Sequence, residues 1–197
     1  MLAIKYQSRF SIGKILLIFG VFIILSGGAY ITLLFMSPSI AHRFFIQPVV
    51  VGTLPKPKDG DNRLVIPALG VNISYGTGSS MLVQNAQWRE SKLSNPEDGG
   101  TMLLAAHKFS LQTTPQQTIT KSPLYALDTL RNGDKLIIDY RGVRYAYEVT
   151  NVRTGKIGDA PLPTNTSDDH LVVYTYDSEN DTTRTVVIAK PLGKVAL

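Results

Sequence analysis

The stretch that decides the fold is Leu-Val-Val-Tyr-Thr-Tyr (171–176), a run of β-branched and aromatic residues followed by the polar segment 177–181. Such a run is typical of a buried strand. Six other short runs, separated by Gly, Pro, Asn and Asp, also predict strands: 64–66, 71–74, 102–106, 135–138, 143–150 and 185–189. Seven strands with one or two short helices predict a mainly β fold, a closed or nearly closed barrel.

Local patterns refine this prediction. The segment Tyr-Arg-Gly-Val (140–143) joins two of the strands and predicts a hairpin turn. In the strand after this turn, apolar and polar residues alternate, so Arg144 and Glu148 share the polar face. Ser122 and Pro123 precede leucines at helical spacing, which predicts a short helix with a serine N-cap.

The apolar residues are unevenly spread, and the segment 15–35 carries no charge at all. As a helix it spans roughly 31 Å, which matches the hydrocarbon layer of a membrane. Lys5, Arg9 and Lys14 precede it, and no acidic residue occurs before Asp59. By the positive-inside rule this predicts a single transmembrane helix, with the N-terminus in the cytoplasm and the C-terminal domain outside the cell.

A cleaved signal peptide is the alternative, because Ser-Gly-Gly-Ala (26–29) offers small residues after an apolar stretch. The apolar run continues past that point, which favours an uncleaved anchor. The expected organisation is a cytoplasmic tail at 1–14, a transmembrane helix at 15–35, a proline-rich linker at 36–61 and a β-barrel domain at 62–197.

Charge and cysteine content exclude several functions. The formal net charge of +5 comes mostly from the three N-terminal cations, so the rest of the chain is close to neutral. Such a balanced surface gives no case for a nucleic-acid partner. The chain has no cysteine, which excludes disulfides and cysteine-ligated metal sites. We expect no cofactor and no metal.

One long loop draws attention to its neighbour His107. The segment 108–121 directly follows this histidine and is rich in Gln and Thr with few apolar residues. Loops of this length in compact domains are more often functional than not.

Taken together, these landmarks resemble the sortase family, whose members are membrane-anchored transpeptidases. Each motif alone is weak, but the ordered set behind an N-terminal anchor is specific, and it covers about 62–193. The matching segments are 64–71, 100–107, 124–136, 145–149, 171–176 and 184–188. The resemblance implies a sortase-like closed β-barrel.

The resemblance also implies a site made of a His, a Cys and an Arg, in which the Cys thiolate attacks the Thr–Gly bond of a sorting signal. By position, His107 would be the acid and base, and Arg184 would hold the substrate and the oxyanion. Tyr176 stands at the position of the nucleophile. Lys108 departs mildly from the residue that usually follows the histidine.

Tyr176 is a poor chemical substitute for a thiol. A thiol with a pKa near 8.5 is about 3% ionised at pH 7, whereas a phenol with a pKa near 10 is about 0.1% ionised. Thr175 points to the opposite face of the strand because side chains alternate. Ser178 would share the face of Tyr176 only if the strand continued, and 177–181 is typical of a loop, which disfavours a serine nucleophile.

Each of the three candidate site residues could instead have a purely structural role. A histidine at a strand end is often structural. Arg184 could pair on the surface with Asp177, Glu179 or Asp181. Tyr176 could be a core aromatic residue that fills the former cleft.

Two functions remain. The first is a membrane-anchored sortase-like protein of the cell envelope, without transpeptidase activity, that binds a sorting-signal-like peptide, a pilin or another envelope protein. The second is an active sortase-like transpeptidase or hydrolase with an unorthodox nucleophile. Laboratory replacement of the catalytic cysteine is a third explanation for its absence, and it is disfavoured because such a replacement would more often introduce Ala or Ser. Retention of His107 and Arg184 beside a lost cysteine favours the first function.

Overall fold

The computed structural model describes residues 11–90, 94–159, 161–163, 168–175 and 182–196. Its α-helices are α1 (Ile12–Phe44), α2 (Ser80–Gln84) and α3 (Pro115–Thr120). Its strands are β1 (Arg63–Ile66), β2 (Val71–Gly76), β3 (Ala86–Arg89), β4 (Thr101–Ala106), β5 (Lys135–Tyr140), β6 (Val143–Lys156), β7 (His170–Thr175) and β8 (Thr183–Lys194). The strands close into a barrel in the order β1-β2-β3-β4-β7-β8-β6-β5. The expectation of a mainly β closed barrel behind an N-terminal helix is confirmed.

Two strand pairs are parallel, β2 with β3 and β4 with β7. In the second pair Thr101 lies opposite His170, and Ala106 lies opposite Thr175. Both strands are nearly continuous apolar runs, which is typical of strands buried on both faces. On its other side β7 pairs antiparallel with β8. The ends of β4 and β7 therefore meet the start of β8 at one edge of the barrel.

Side chains of these three strands alternate between two apolar clusters. The inner cluster fills the barrel and includes Met102, Leu104, Ala106, Leu171, Val173, Val187 and Ala189. The outer cluster consists of Leu103, Ala105, Val172, Tyr174 and Val186, with Leu82 of α2 and Leu162 packed against it. The position of a residue along each strand therefore determines which cluster its side chain joins.

The sequence did not predict β3, because this strand is four residues long and contains no β-branched residue. It contributes Trp88 to the inner cluster, where the indole ring makes edge-to-face contacts with Tyr75 and Tyr140.

The short helix predicted at Ser122 is different in the structure. Residues 123–126 form turns, and Leu127–Thr129 forms a 3-10 helix. The Ser122 hydroxyl does not cap a helix: it donates to the Thr118 carbonyl and accepts from the Ser110 N–H. It therefore ties the two ends of the 108–121 loop together.

Helix α1 continues to Phe44 and replaces the first part of the linker expected at 36–61. Proline density predicts extended backbone there, yet Pro38 lies inside the helix. A helical proline leaves the carbonyl four residues earlier without its usual donor. Here the Ser37 hydroxyl donates to the Leu34 carbonyl at 2.9 Å, and this bond compensates for the missing N–H.

The rest of the linker packs on the barrel instead of forming a free spacer. The Val49 N–H donates to the Pro67 carbonyl at 2.9 Å. Ile46 and Gln47 lie against Gly70, whose φ is 66°. A Cβ at this position would collide with both residues, so the close approach of the linker requires glycine.

A buried ion pair holds a later part of the linker. Arg144 donates to the two carboxylate oxygens of Asp139 at 2.7 and 2.8 Å, and to the Pro55 carbonyl at 2.8 Å. Both charged side chains are buried, and Arg63 lies 3.3 Å from the same carboxylate. The hydrogen bond with Asp139 raises the pKa of Arg144, so the guanidinium stays charged. The linker thus covers the face of β5 and β6 that the alternating pattern marked as polar.

The hairpin predicted at 140–143 is confirmed, since Tyr140 pairs with Val143. The two residues between them, Arg141 and Gly142, have φ values of 46° and 74°. Positive φ at both central residues is characteristic of a type I′ turn, whose twist matches that of the strands.

We expect Asp139→Asn to lower the free energy of unfolding by about 3–5 kcal/mol, because it leaves the buried Arg144 without its carboxylate partner. Urea unfolding of the protein in detergent micelles, followed by the fluorescence of Trp88, measures this. Glu97→Gln is the matched control, since Glu97 pairs with Arg141 at 3.5 Å on the surface, and its effect should stay within about 0.5 kcal/mol. Equal stability of the two variants would contradict a structural role for the buried pair.

Candidate functional site

Two of the predicted site residues, His107 and Arg184, lie at the barrel edge where β4, β7 and β8 end or begin. His107 directly follows Ala106, the last residue of β4, which pairs with Thr175 at the end of β7. Arg184 is the second residue of β8. In the barrel order β7 lies between β4 and β8.

The alternation of side chains along β4 and β8 indicates on which face of the barrel His107 and Arg184 lie. In β4, Leu103 and Ala105 belong to the outer cluster, and His107 is the next residue in that series. In β8, Val186 belongs to the outer cluster, and Arg184 is two residues before it. By strand parity the two side chains share the outer face of the barrel.

Strand spacing gives the separation expected between them. Neighbouring strands lie about 4.8 Å apart, and one strand separates β4 from β8, so backbones at the same level are about 10 Å apart. Side chains of His and Arg that lean toward each other would cover much of this distance. The convergence of His107 and Arg184 on one cleft stays a prediction, which this register supports.

The His107 side chain is half-buried, and its Nδ1 atom is buried without a hydrogen-bond partner among the described residues. Its backbone carbonyl accepts the Leu124 N–H at 3.1 Å. This bond fixes the backbone just before the 108–121 loop. An imidazole nitrogen without a partner is available to a ligand or to a group outside the described part of the chain.

The 108–121 loop contains the short helix α3, and the sequence did not predict this helix. The Thr114 hydroxyl accepts the Gln117 N–H and caps this helix, and Pro115 occupies its first turn. The buried Thr118 hydroxyl accepts the Gln112 N–H at 3.1 Å. The capping signal Thr-Pro-x-Gln could have been found in the sequence.

Arg184 is half-buried, and its guanidinium carbon lies 5.8 Å from the centre of the Tyr174 ring. This is a cation–π contact between adjacent strands. It holds the long side chain over β7 while the cation keeps hydrogen-bonding capacity. The partners considered for Arg184 from the sequence, Asp177, Glu179 and Asp181, lie outside the described residues.

On the interior side of this end of the barrel, threonines of neighbouring strands contact one another. The Thr175 hydroxyl accepts the Thr185 N–H at 2.9 Å, and both side chains are buried. On its other side the Thr185 hydroxyl lies 3.0 Å from that of Thr154. A side chain thus takes the place of a backbone acceptor where β7 and β8 begin to separate. Thr175 faces the barrel interior, as the alternation of the strand predicts.

Tyr176, the residue at the predicted nucleophile position, lies outside the described residues, and so does Ser178. Thr175, the residue before Tyr176, pairs with Ala106, the residue before His107. Among the described residues no group of three His, Asp or Glu side chains could hold a metal ion.

The chain matches the sortase domain model over residues 64–192. This match covers more than half of the chain and includes His107, Tyr176 and Arg184, so the protein belongs to the sortase family. No curated protein sequence matches the chain.

Solved structures agree with this fold. Sortase C of Streptococcus pneumoniae superposes with a TM-score of 0.54 and 19% identity, over 84% of this chain and 92% of that one. Sortase A of Listeria monocytogenes gives a TM-score of 0.53 and 21% identity, over 68% and 90%. A sortase D5 transpeptidase of Clostridium perfringens gives 0.51 and 21%, over 71% and 83%. At these identities the similarity concerns the fold.

We expect Thr175→Val to destabilise the protein by about 1–3 kcal/mol, because the buried Thr185 N–H loses its acceptor. Valine keeps the shape and the strand preference of threonine, so the hydrogen bond is the main change. Thr175→Ser retains the hydroxyl and is the matched control. Urea unfolding compares the two variants. A valine variant as stable as the serine variant would show that this bond does not hold the edge together.

Proposed function

We propose that this protein is a membrane-anchored, non-catalytic sortase-like protein of the cell envelope that binds a peptide or an envelope protein. The observation that carries the proposal is the absence of cysteine from all 197 residues of a chain with a complete sortase barrel. The family mechanism begins with a thiolate, and Tyr176 supplies a phenol at that position. A phenol is ionised far less than a thiol at neutral pH.

The remaining site residues suit binding. Arg184 offers a cation with several N–H donors that can hold carbonyl or carboxylate oxygens of a peptide. His107 offers a buried imidazole nitrogen without a partner among the described residues. Both lie beside the apolar outer cluster of β4, β7 and β8. The five residues of this cluster are buried, so a ligand would meet the polar groups of His107 and Arg184, and an extended peptide offers them carbonyl oxygens at regular spacing.

The partner class follows from the family. A sorting-signal-like peptide, a pilin or another envelope protein presents a peptide segment outside the cell. The matched sortase C structure of Streptococcus pneumoniae is described in terms of pilin substrate specificity. That description belongs to a protein with 19% identity, and we extend it to this chain only as a proposed class of partner.

Helix α1 supplies the proposed anchor. Among the described residues it is the helix that is long and apolar enough to cross a membrane. Its large apolar side chains are exposed on all sides from Ile15 to Leu25. Lys5, Arg9 and Lys14 on its N-terminal side favour a cytoplasmic N-terminus and an extracellular barrel. The apolar run past Ala29 favours an uncleaved anchor over a signal peptide.

An active transpeptidase or hydrolase with an unorthodox nucleophile is the alternative. Such an enzyme would use His107 and Arg184 in the catalytic roles that these residues have in the family. A tyrosine nucleophile would require strong activation of its hydroxyl, and acyl transfer from an amide through tyrosine would be unusual.

Acyl-enzyme capture separates the two proposals. We expect the full-length protein, incubated with a synthetic peptide that contains the Thr–Gly bond of a sorting signal, to give no covalent mass adduct. Tyr176→Cys should give a weak adduct, because a nearby Arg184 would lower the pKa of the new thiol and increase its thiolate fraction. Turnover should stay low, since acyl transfer requires alignment to about 0.5 Å.

Tyr176→Ala is the control, because it removes the ring without adding a nucleophile. An adduct on the unmodified protein would overturn the non-catalytic proposal. A folded but inert cysteine variant would mean that His107 and Arg184 no longer form a catalytic arrangement.

A further inference from the structure

Helix α1 and the 108–121 loop touch at two points within the apolar part of the helix. The Tyr30 hydroxyl donates to the Thr113 carbonyl at 2.7 Å. The rings of Phe35 and Phe109 stack, with centres 5.9 Å apart and an angle of 12° between their planes. The loop therefore lies alongside the last turn and a half of the segment 15–35.

These contacts constrain where the membrane ends. If the whole segment 15–35 lay in hydrocarbon, Tyr30 would lie about 7.5 Å below the outer boundary. The polar backbone of the loop would then lie in lipid, where irregular backbone is not tolerated. The outer boundary must lie near Tyr30, a residue type enriched at membrane interfaces. The helix from Ile12 to Tyr30 still spans about 27 Å, close to the hydrocarbon thickness, and the long side chain of Lys14 near its inner end can extend to the interface.

With this boundary the loop occupies the headgroup layer. Phe35 lies about 7.5 Å above Tyr30, and the headgroup layer is about 5–7 Å thick on each side. The loop residues from Phe109 to Thr113 contact the helix between these two levels. The Leu111 side chain is 46% exposed and so can contact the lipid surface.

The charge of the loop suits the same environment. Segment 108–121 contains Lys108 and Lys121 and no acidic residue. Lys108 lies 3.7 Å from Asp128, and both side chains remain partly exposed. Lys121 is at the other end of the loop, and the hydroxyl of the next residue, Ser122, accepts the Ser110 N–H near the first end. Lysines in a loop near a membrane surface can interact with lipid phosphates.

We propose that the 108–121 loop lies in the headgroup layer of the membrane that holds α1, with phospholipid headgroups as its partner and Tyr30 as its tether to the helix. This inference rests on the proposed membrane anchor and deepens the proposed function. His107 is two residues from Phe109, so their Cα atoms lie within about 7 Å of each other. The site edge is thereby fixed close to the lipid surface, and a partner must present its peptide there.

Spin labels on single introduced cysteines test the proposal, because the chain has no cysteine of its own. The full-length protein is reconstituted in phospholipid nanodiscs with one copy per disc. Labels are placed by Leu17→Cys in the span, Leu111→Cys in the loop, and Arg141→Cys. Arg141 is the aqueous reference, because it is exposed in the β5–β6 turn at the end of the barrel away from the contact with α1. Power saturation with oxygen and with a water-soluble nickel complex reports the depth of each label.

We expect the Leu111 label to be several-fold less accessible to nickel than the Arg141 label, and shallower than the Leu17 label. Equal nickel accessibility at positions 111 and 141, with position 17 deep in lipid, would overturn the loop proposal and leave the anchor intact. A water-exposed label at position 17 would overturn the anchor itself. Protection of position 111 only in discs with two copies would replace lipid with a second protein molecule.

A second variant tests the tether. Tyr30→Phe removes the hydroxyl that bonds the Thr113 carbonyl, and it should increase the nickel accessibility of the Leu111 label. Tyr125→Phe is the matched control, since it keeps the ring that stacks on His42 outside the loop, and it should leave the label unchanged. Equal accessibility in the two variants would overturn the role of Tyr30.

Discussion

The parallel pairing of β4 with β7 is the constraint on which the site depends. Parallel strands bring their C-terminal ends to the same edge, so Ala106, which precedes His107, is level with Thr175. The antiparallel partner β8 begins where β7 ends, and this brings Arg184 to the same edge. His107 and Arg184, which are 77 positions apart in the sequence, are thus brought to the same end of the barrel by backbone register, before any side-chain interaction is considered.

The sequence predicted the parts of the fold that rest on residue patterns. β-branched runs gave most of the strands, and the Arg-Gly pair gave the 140–143 turn, because positive φ at two central residues limits which residues fit there. β3 was missed because it has four residues and none is β-branched, although it contributes Ala86 and Trp88 to the inner cluster. Arg144 was assigned to a polar face. The pattern could not reveal that the linker covers this face and makes the charge part of a buried pair.

The site residues could be predicted only from the order in which the family's motifs follow one another along the chain. The ordered motifs pointed to His107 and Arg184, and strand alternation predicted that Thr175 lies on the opposite face of its strand from Tyr176. The contact of Arg184 with Tyr174 and the bond from Thr185 to Thr175 depend on which strands are neighbours. Strand neighbours across a barrel are set by topology, and single-sequence periodicity does not encode topology.

The linker and the anchor also differ from a simple tether. Proline-rich sequence predicts an extended spacer, but Pro38 is accommodated in α1 by the Ser37 hydroxyl, and Pro55 is held by Arg144. The barrel is therefore attached to its helix through packed contacts. We propose that this sortase barrel, which has the family's histidine and arginine but no cysteine, holds a ligand near the membrane.

Peptide binding by the full-length protein in nanodiscs tests this account most directly. The probe is a fluorescent peptide with the Thr–Gly bond of a sorting signal, and the measurement is its anisotropy. The account predicts saturable binding without cleavage, weakened at least about tenfold by Arg184→Gln, which is the loss of a charge-assisted hydrogen bond. Arg153→Gln, at an exposed arginine of β6, should leave binding unchanged. No saturable binding, or equal binding by both variants, would contradict the claim that this edge of the barrel is a peptide site.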